Sequence, residues 1–179
     1  MNSRFIITGA PGTGKTAIIN AFIKAGHSCA EEISRTIITQ QIASGGDALP
    51  WKNLAAFSQQ VITLRKAQHT NAPQDKIHFF DRGIVDVIAY LKHDGLTVND
   101  DTLAMVKKFP YNKTVFYTPI WEEIYVTDTE RKEDIITAKN IEKALLTTYQ
   151  SFGYTLVEVP KLPVSERTAF ILSKTYGIT

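Results

Sequence analysis

An α/β domain built on a five-stranded, mostly parallel sheet is what this sequence predicts, and three observations carry the prediction. Strand-like runs at 4–8, 27–30, 77–81, 114–118 and 155–159 alternate with segments of helical periodicity. The runs His78-Phe79-Phe80 and Thr114-Val115-Phe116-Tyr117 are continuous rather than alternating, as expected of strands covered by helices on both faces. The first run, Arg4-Phe5-Ile6-Ile7-Thr8, leads straight into Gly9-Ala10-Pro11-Gly12-Thr13-Gly14-Lys15-Thr16, which fits G-x-x-x-x-G-K-[ST] between a strand and a helix.

The elements follow in order. After the glycine-rich turn, Ile18, Ile19, Phe22 and Ile23 recur at helical spacing until Gly26. The second strand, 27–30, is followed by Glu31-Glu32-Ile33-Ser34-Arg35-Thr36, and on a helix Glu32, Arg35, Thr36 and Thr39 would share a face. Gly45 to Pro50 breaks the chain, Leu54, Phe57, Val61 and Leu64 mark a helix, and Thr70 to Asp75 breaks it again before the third strand. Ile84, Ile88 and Leu91 mark the next helix, and Ile141, Leu145, Thr148 and Phe152 another; all three stripes read as core. Pro160 and Pro163 bracket the turn into a last helix whose expected cap is Ser165.

Composition narrows the class. At 179 residues and 44% hydrophobic, with no linker or low-complexity tract, residues 1–179 are expected to form one domain. The net charge of +2 comes from scattered residues and forms no basic stripe, so nucleic acid is not an expected partner. The lone Cys29 cannot pair internally and reads as a small core residue. No signal peptide and no apolar stretch of the roughly 18 residues needed for a span are present, so a cytoplasmic location is expected. The histidines at 27, 69, 78 and 93 show no metal-ligand spacing, His78 reads as a core histidine, and no G-x-S-x-G elbow is present.

The chemistry therefore rests on Gly9 to Thr16. In such a turn the backbone N–H groups of Gly9, Ala10, Pro11's neighbours, Gly12, Thr13 and Gly14 converge on phosphate oxygens. Lys15 adds a point charge near the β/γ-phosphates, and the Thr16 hydroxyl can ligate Mg²⁺. Asp81 ends a strand, where ligands gather in α/β folds; it can hold Mg²⁺, accept a proton from an attacking hydroxyl, or simply cap the next helix. Arg82 stands beside it, four residues before Asp86, and reads either as a group for a substrate anion or as half of a surface ion pair. Glu32 and Arg35 could bind a hydroxylated substrate or belong to a solvated helix face. The charged segment near 122–134 suggests a lid, with Arg131 closing over the phosphates, or a solvated loop.

On the phosphate loop, Glu32-Ile33-Ser34-Arg35, Phe80 to Asp86, the segment around Arg131 and Phe152-Gly153-Tyr154 leading to Val159-Pro160, the chain resembles the AAA-type P-loop ATPase/kinase domain family. That family includes the ribosylnicotinamide kinase domain of the bacterial NAD-biosynthesis regulator and the animal translocation-defect factors. The resemblance implies a three-layer, kinase-like fold with strand order 2-3-1-4-5, a lid arginine, ATP and Mg²⁺ as cofactors, Glu32 and Arg35 on the substrate side, and Asp81 and Arg82 at the chemistry. Asp81-Arg82-Gly83 is closer to the ATPase-like and thymidylate-kinase-like members than to the ribosylnicotinamide kinases, so nicotinamide riboside is only one candidate acceptor.

The leading expectation is an ATP-dependent phosphotransferase acting on a nucleoside or nucleotide, with catalytic Lys15, Asp81, Arg131 and Glu32. The alternative is a switch that hydrolyses ATP or GTP and signals through a protein partner. An N-K-x-D specificity motif would favour the switch; Asn112-Lys113-Thr114-Val115 begins like one but has Val in the acidic position.

Overall fold

The computed structural model describes residues 2–124 and 134–177. Its strands are β1 (Arg4–Thr8), β2 (Ser28–Ala30), β3 (His78–Asp81), β4 (Thr114–Tyr117) and β5 (Thr155–Glu158). They stand in the order β2-β3-β1-β4-β5, and every pairing is parallel. The helices are α1 (Lys15–Lys24), α2 (Ser34–Ser44), α3 (Leu54–Asn71), α4 (Ile84–His93), α5 (Asp100–Lys108), α6 (Ile135–Ser151) and α7 (Val164–Tyr176).

Period-two alternation sorts the strand residues to opposite faces of the sheet. Phe5, Ile7, Phe79 and Phe116 pack with Ile18 and Phe22 of α1 and Ile171 of α7, and the Phe22 ring stacks on Phe79 at 4.4 Å. Ile6, Phe80 and Val115 pack with Ile84 and Ile88 of α4, Val106 of α5 and Tyr149 of α6. The helices that follow β1 and β3 thus leave the sheet on opposite faces. Their departure opens a crevice at the carboxyl ends of these adjacent strands, where α/β folds bind ligands. Helices α2 and α3 close its far side by packing Ile37, Phe57, Val61 and Ile62 against Val87 and Leu91 of α4.

Local chemistry sets the helix starts. The side chains of Asn53, Asn99 and Asp134 accept from the backbone N–H groups of Ala56, Thr102 and Thr137, capping α3, α5 and α6. The last helix begins differently from expectation. Pro163 occupies the cap position and its carbonyl accepts from both Glu166 and Arg167, so Ser165 already lies inside the first turn of α7. The stripe on α3 also differs, because Leu64 is 38% exposed whereas Phe57, Val61, Arg65 and His69 run inward at four-residue spacing. The short α5 has too brief an apolar stripe to stand out in the sequence, and its packing against α4 makes it.

His78 is buried in β3, where its Nδ1 shares a hydrogen bond of 2.8 Å with Ser28 Oγ while its Nε2 has no partner. Burial, reinforced by Arg4, pushes its pKa from 6.5 down to about 4. Between these values the unfolded chain binds a proton that the folded one refuses, so stability falls as the pH drops from about 6.5 to about 4. Thermal midpoints of wild type and His78→Gln across that window check this; the variant's midpoint is expected to fall less steeply.

Candidate active site

The phosphate loop joins β1 to α1 and is shaped by its glycines. Gly9, Gly12 and Gly14 have φ values of 147°, 81° and 83°, a region that side-chain-bearing residues avoid. A Cβ on Gly9 would also collide with Thr118, whose N–H bonds the Thr8 carbonyl at the end of β4. Gly14 occupies the cap position of α1 without any side-chain cap, which leaves the amides of the first helical turn available to an anion.

The loop is braced from within. Thr13 Oγ1 bonds the Ala10 carbonyl at 2.9 Å and Thr118 Oγ1 at 2.6 Å, while Lys15 Nζ donates to the Ala10 carbonyl at 2.7 Å and to Thr13 Oγ1 at 3.3 Å. Lys15 is only 5% exposed. Burial, helped by the nearby Arg82 charge, lowers its pKa to about 7. Bringing anionic phosphate beside it would favour the ammonium form. Thr16, next along, is exposed on the wall of the crevice.

Parallel register places Asp81 of β3 beside Ile7 of β1, one residue before Thr8 and the loop. Asp81 is 1% exposed, and neither carboxylate oxygen has a hydrogen-bond partner among the described residues. Burial and the neighbouring Glu32 raise its pKa. It does not cap α4. That task falls to Asp86, whose Oδ2 accepts from the Gly83 N–H at 2.7 Å.

Asp86 is the hub of the site. Its Oδ1 accepts from Thr8 Oγ1 at 2.6 Å, its Oδ2 from the Tyr149 hydroxyl at 2.5 Å, and Arg82 Nη1 lies 3.4 Å from Oδ1. Arg82 in turn pairs with Glu32 through Nε at 3.4 Å and lies over the Tyr90 ring at 5.6 Å. Arg82 and Asp86 are both buried, so the pair that could have been a surface salt bridge is an interior one. Arg82 is also the one described non-glycine residue with positive φ, at 69°, and its N–H is tied to the Ile7 carbonyl.

These groups edge a cleft of about 440 Å³ between the phosphate loop, α2, α3 and α4. Glu32 lines it, but from the segment before α2 rather than from a helix face, since the helix begins only at Ser34. Burial works against ionising Glu32, but the Arg82 and Lys15 charges outweigh it and hold its pKa below the ordinary carboxylate value. Arg35 lines the cleft from the first turn of α2 beside Ser34 and Ile38, whereas Thr36 and Thr39 lie outside the lining and are exposed. Arg131 lies outside the described residues, as does most of the segment near 122–134.

Three side chains of the site were not legible in the sequence. Arg65 of α3 is 1% exposed and lines the inner wall; its Nη1 is held by Gln68 at 2.9 Å, but Nε and Nη2 have no hydrogen-bond partner among the described residues. Tyr90 of α4 and Phe57 of α3 add aromatic wall. Phe57 and Val61 belong to a stripe that reads as pure core, because helical spacing cannot tell a side chain facing a cleft from one facing a neighbouring helix. Among the described residues no three His, Cys, Asp or Glu side chains cluster as a metal site. Cys29 is half-buried, and its thiol pKa is pushed up to about 12, as suits an unreactive residue.

A parallel sheet in this order with a glycine-rich phosphate loop after β1 defines a P-loop fold of the kinase type. A family model described as AAA domain matches residues 4–167, and the chain belongs to that family. Solved structures share the fold at low identity. A deoxyadenosine kinase from M. mycoides, solved with products dCMP and a flexible dCDP, is 16% identical with a TM-score of 0.69, the match covering 98% of this chain and 100% of that one. The NadR protein in complex with NR is 15% identical with a TM-score of 0.70 over 98% of this chain, which spans about half (52%) of that chain. Thymidylate kinase from Ehrlichia chaffeensis is 12% identical with a TM-score of 0.65, covering 98% of this chain and 100% of that one. Among curated proteins, no sequence matches this chain. No helix among the described residues is long and apolar enough to cross a membrane.

Because Asp86 answers four buried donors, Asp86→Ala removes the acceptor of the buried Tyr149 phenol and one of the two carboxylates that pair with Arg82. Urea unfolding is expected to show a loss of about 3–5 kcal/mol, and Asp86→Asn a smaller one.

Proposed function

We propose that this protein is a Mg²⁺-dependent ATP phosphotransferase whose acceptor is a nucleoside or nucleotide. One observation supports it above the others: the cleft of about 440 Å³ runs on from the phosphate loop, whose Gly12, Gly14, Lys15 and Thr16 line one end, to walls on α2, α3 and α4 that suit a small-molecule ligand, and it is edged by an ionised carboxylate paired to an arginine. A hydrolytic switch needs loops that answer to hydrolysis and a partner surface, not a walled cleft that continues past the phosphate loop. The kinase neighbours, which share this fold, support the same reading.

In this reading the loop amides and Lys15 bind the β- and γ-phosphates and orient the terminal group toward the cleft. The donor set fits a hard divalent cation, because Asp81 is a buried carboxylate with both oxygens unpartnered among the described residues and Thr16 offers an exposed hydroxyl on the wall of the cleft. Thr16 and Asp81 are the residues that would hold the ion, whose chemistry is neutralisation of charge on the transferred phosphoryl group. Arg82 holds Glu32 at the cleft edge, and Glu32, being ionised and part of the lining, accepts the proton of an acceptor hydroxyl. Asp81 is less well placed for that role, because it is not part of the cleft lining. Arg35 and Arg65 are acceptor-side groups, and the apolar walls of Phe57, Val61 and Tyr90 suit a planar ring.

Incubation with Mg²⁺ and γ-labelled ATP, with and without a pool of nucleosides and nucleotides, tests the proposal. Label is expected in a new small molecule; label released as inorganic phosphate regardless of the pool would overturn it. Lys15→Ala is expected to abolish ATP turnover while circular dichroism shows an intact fold, and wild-type turnover in that variant would sink the mechanism. Arg65→Met removes a charged donor from the inner wall and should raise the acceptor KM roughly 10- to 100-fold with little change in the KM for ATP. Steady-state kinetics with each substrate varied in turn reads the difference.

A further inference from the structure

The phosphate loop is held from outside by a residue far along the chain. Arg167 lies in the first turn of α7, is 3% exposed, and donates through Nη2 to the Thr13 carbonyl at 2.8 Å across 154 residues of sequence. A trans peptide is planar, with its C=O and N–H pointing in opposite directions, and no cis peptide occurs among the described residues. Pinning the Thr13 carbonyl outward, toward α7, therefore turns the Gly14 N–H inward, toward the hollow of the loop. The guanidinium also occupies the space beside Gly14, where an added Cβ would lie 2.7 Å from Arg167 Nη1.

We propose that Arg167 is a positioning residue for nucleotide binding, fixing the Thr13–Gly14 peptide so that the Gly14 amide faces the phosphates. The inference rests on the reading of Gly9 to Thr16 as a polyphosphate cradle, but not on phosphoryl transfer. Anchoring α7 alone is a poor reason for an arginine here. Its Nε is buried without a hydrogen-bond partner among the described residues, and a desolvated cation with so few bonds is costly to keep. One helical turn further on, Ile171 docks the same helix with an apolar side chain that is fully buried. A buried cation behind the loop is repaid when phosphate charge arrives on the other side of the peptide it holds, and the pre-set amide removes an ordering cost from binding.

Three variants separate positioning from plain helix docking, with titration of a fluorescent ATP analogue and thermal unfolding as the readouts. Arg167→Met is expected to weaken binding of the analogue roughly 10- to 100-fold, as loss of a charged hydrogen bond predicts. Arg167→Lys, which keeps a donor and a charge, is expected to recover part of the loss. Ile171→Val is expected to lower the thermal midpoint and leave the affinity unchanged. A folded Arg167→Met protein that binds the analogue like wild type would overturn the proposal. So would Ile171→Val weakening binding in proportion to its loss of stability. The readout needs no acceptor, so a protein that binds ATP but transfers phosphate to nothing would remove the kinase reading and leave this inference standing on the same titration.

Discussion

A single buried carboxylate holds together the parts that form the cleft. Asp86 receives Thr8 from the end of β1, the Gly83 amide from the start of α4, the Tyr149 hydroxyl from α6 and, more loosely, Arg82 from the link between β3 and α4. Because these groups are buried, breaking any of the bonds carries a desolvation cost, so they act as a joint between the sheet and two helices. The joint decides where Arg82 can lie. A non-glycine residue at φ 69° carries a strain of about 1–3 kcal/mol, and it persists here because the Ile7 carbonyl, Asp86 and Glu32 hold it on three sides.

From Arg82 outward, charge divides the site into two regions. Lys15, Asp81 and Thr16 stand beside the phosphate loop, where one buried lysine has its pKa lowered and one buried aspartate has its pKa raised. Desolvation works against the charged form of each, and an opposite charge brought beside either group would favour it. Glu32 lies across the cleft and stays ionised because Arg82 and Lys15 overcome its burial. Two carboxylates of the site are thus shifted in opposite directions, Asp81 up and Glu32 down, because the neighbouring cations outweigh burial only at Glu32.

Legibility in the sequence follows the range of the interactions. The strands lie within a residue or two of where they are predicted; the central β1, β3 and β4 are readable because a strand covered on both faces is largely apolar. The phosphate loop is readable because its requirements are contiguous: positive φ at Gly9, Gly12 and Gly14, and a lysine directly after the last. The helical face assigned to Glu32, Arg35, Thr36 and Thr39 goes wrong at its first member, since spacing assumes a helix that has not yet begun at Glu32. The stripe containing Leu64 misleads for a related reason: an apolar residue one step off the packing line is exposed, and the inward position falls to Arg65.

The sequence by itself determined the parallel α/β architecture, the phosphate loop and the acid and arginine that close β3, because each depends on neighbours within a few residues. Tertiary structure alone decided that Asp86 joins β1, α4 and α6, that Arg65 belongs to the wall of a cleft, and that Arg167 reaches the loop from the far end of the chain. These contacts span tens of residues to more than a hundred. What selects the partners is the desolvation of polar groups once helices have packed on the sheet, and local periodicity carries no record of which buried donor will meet which acceptor.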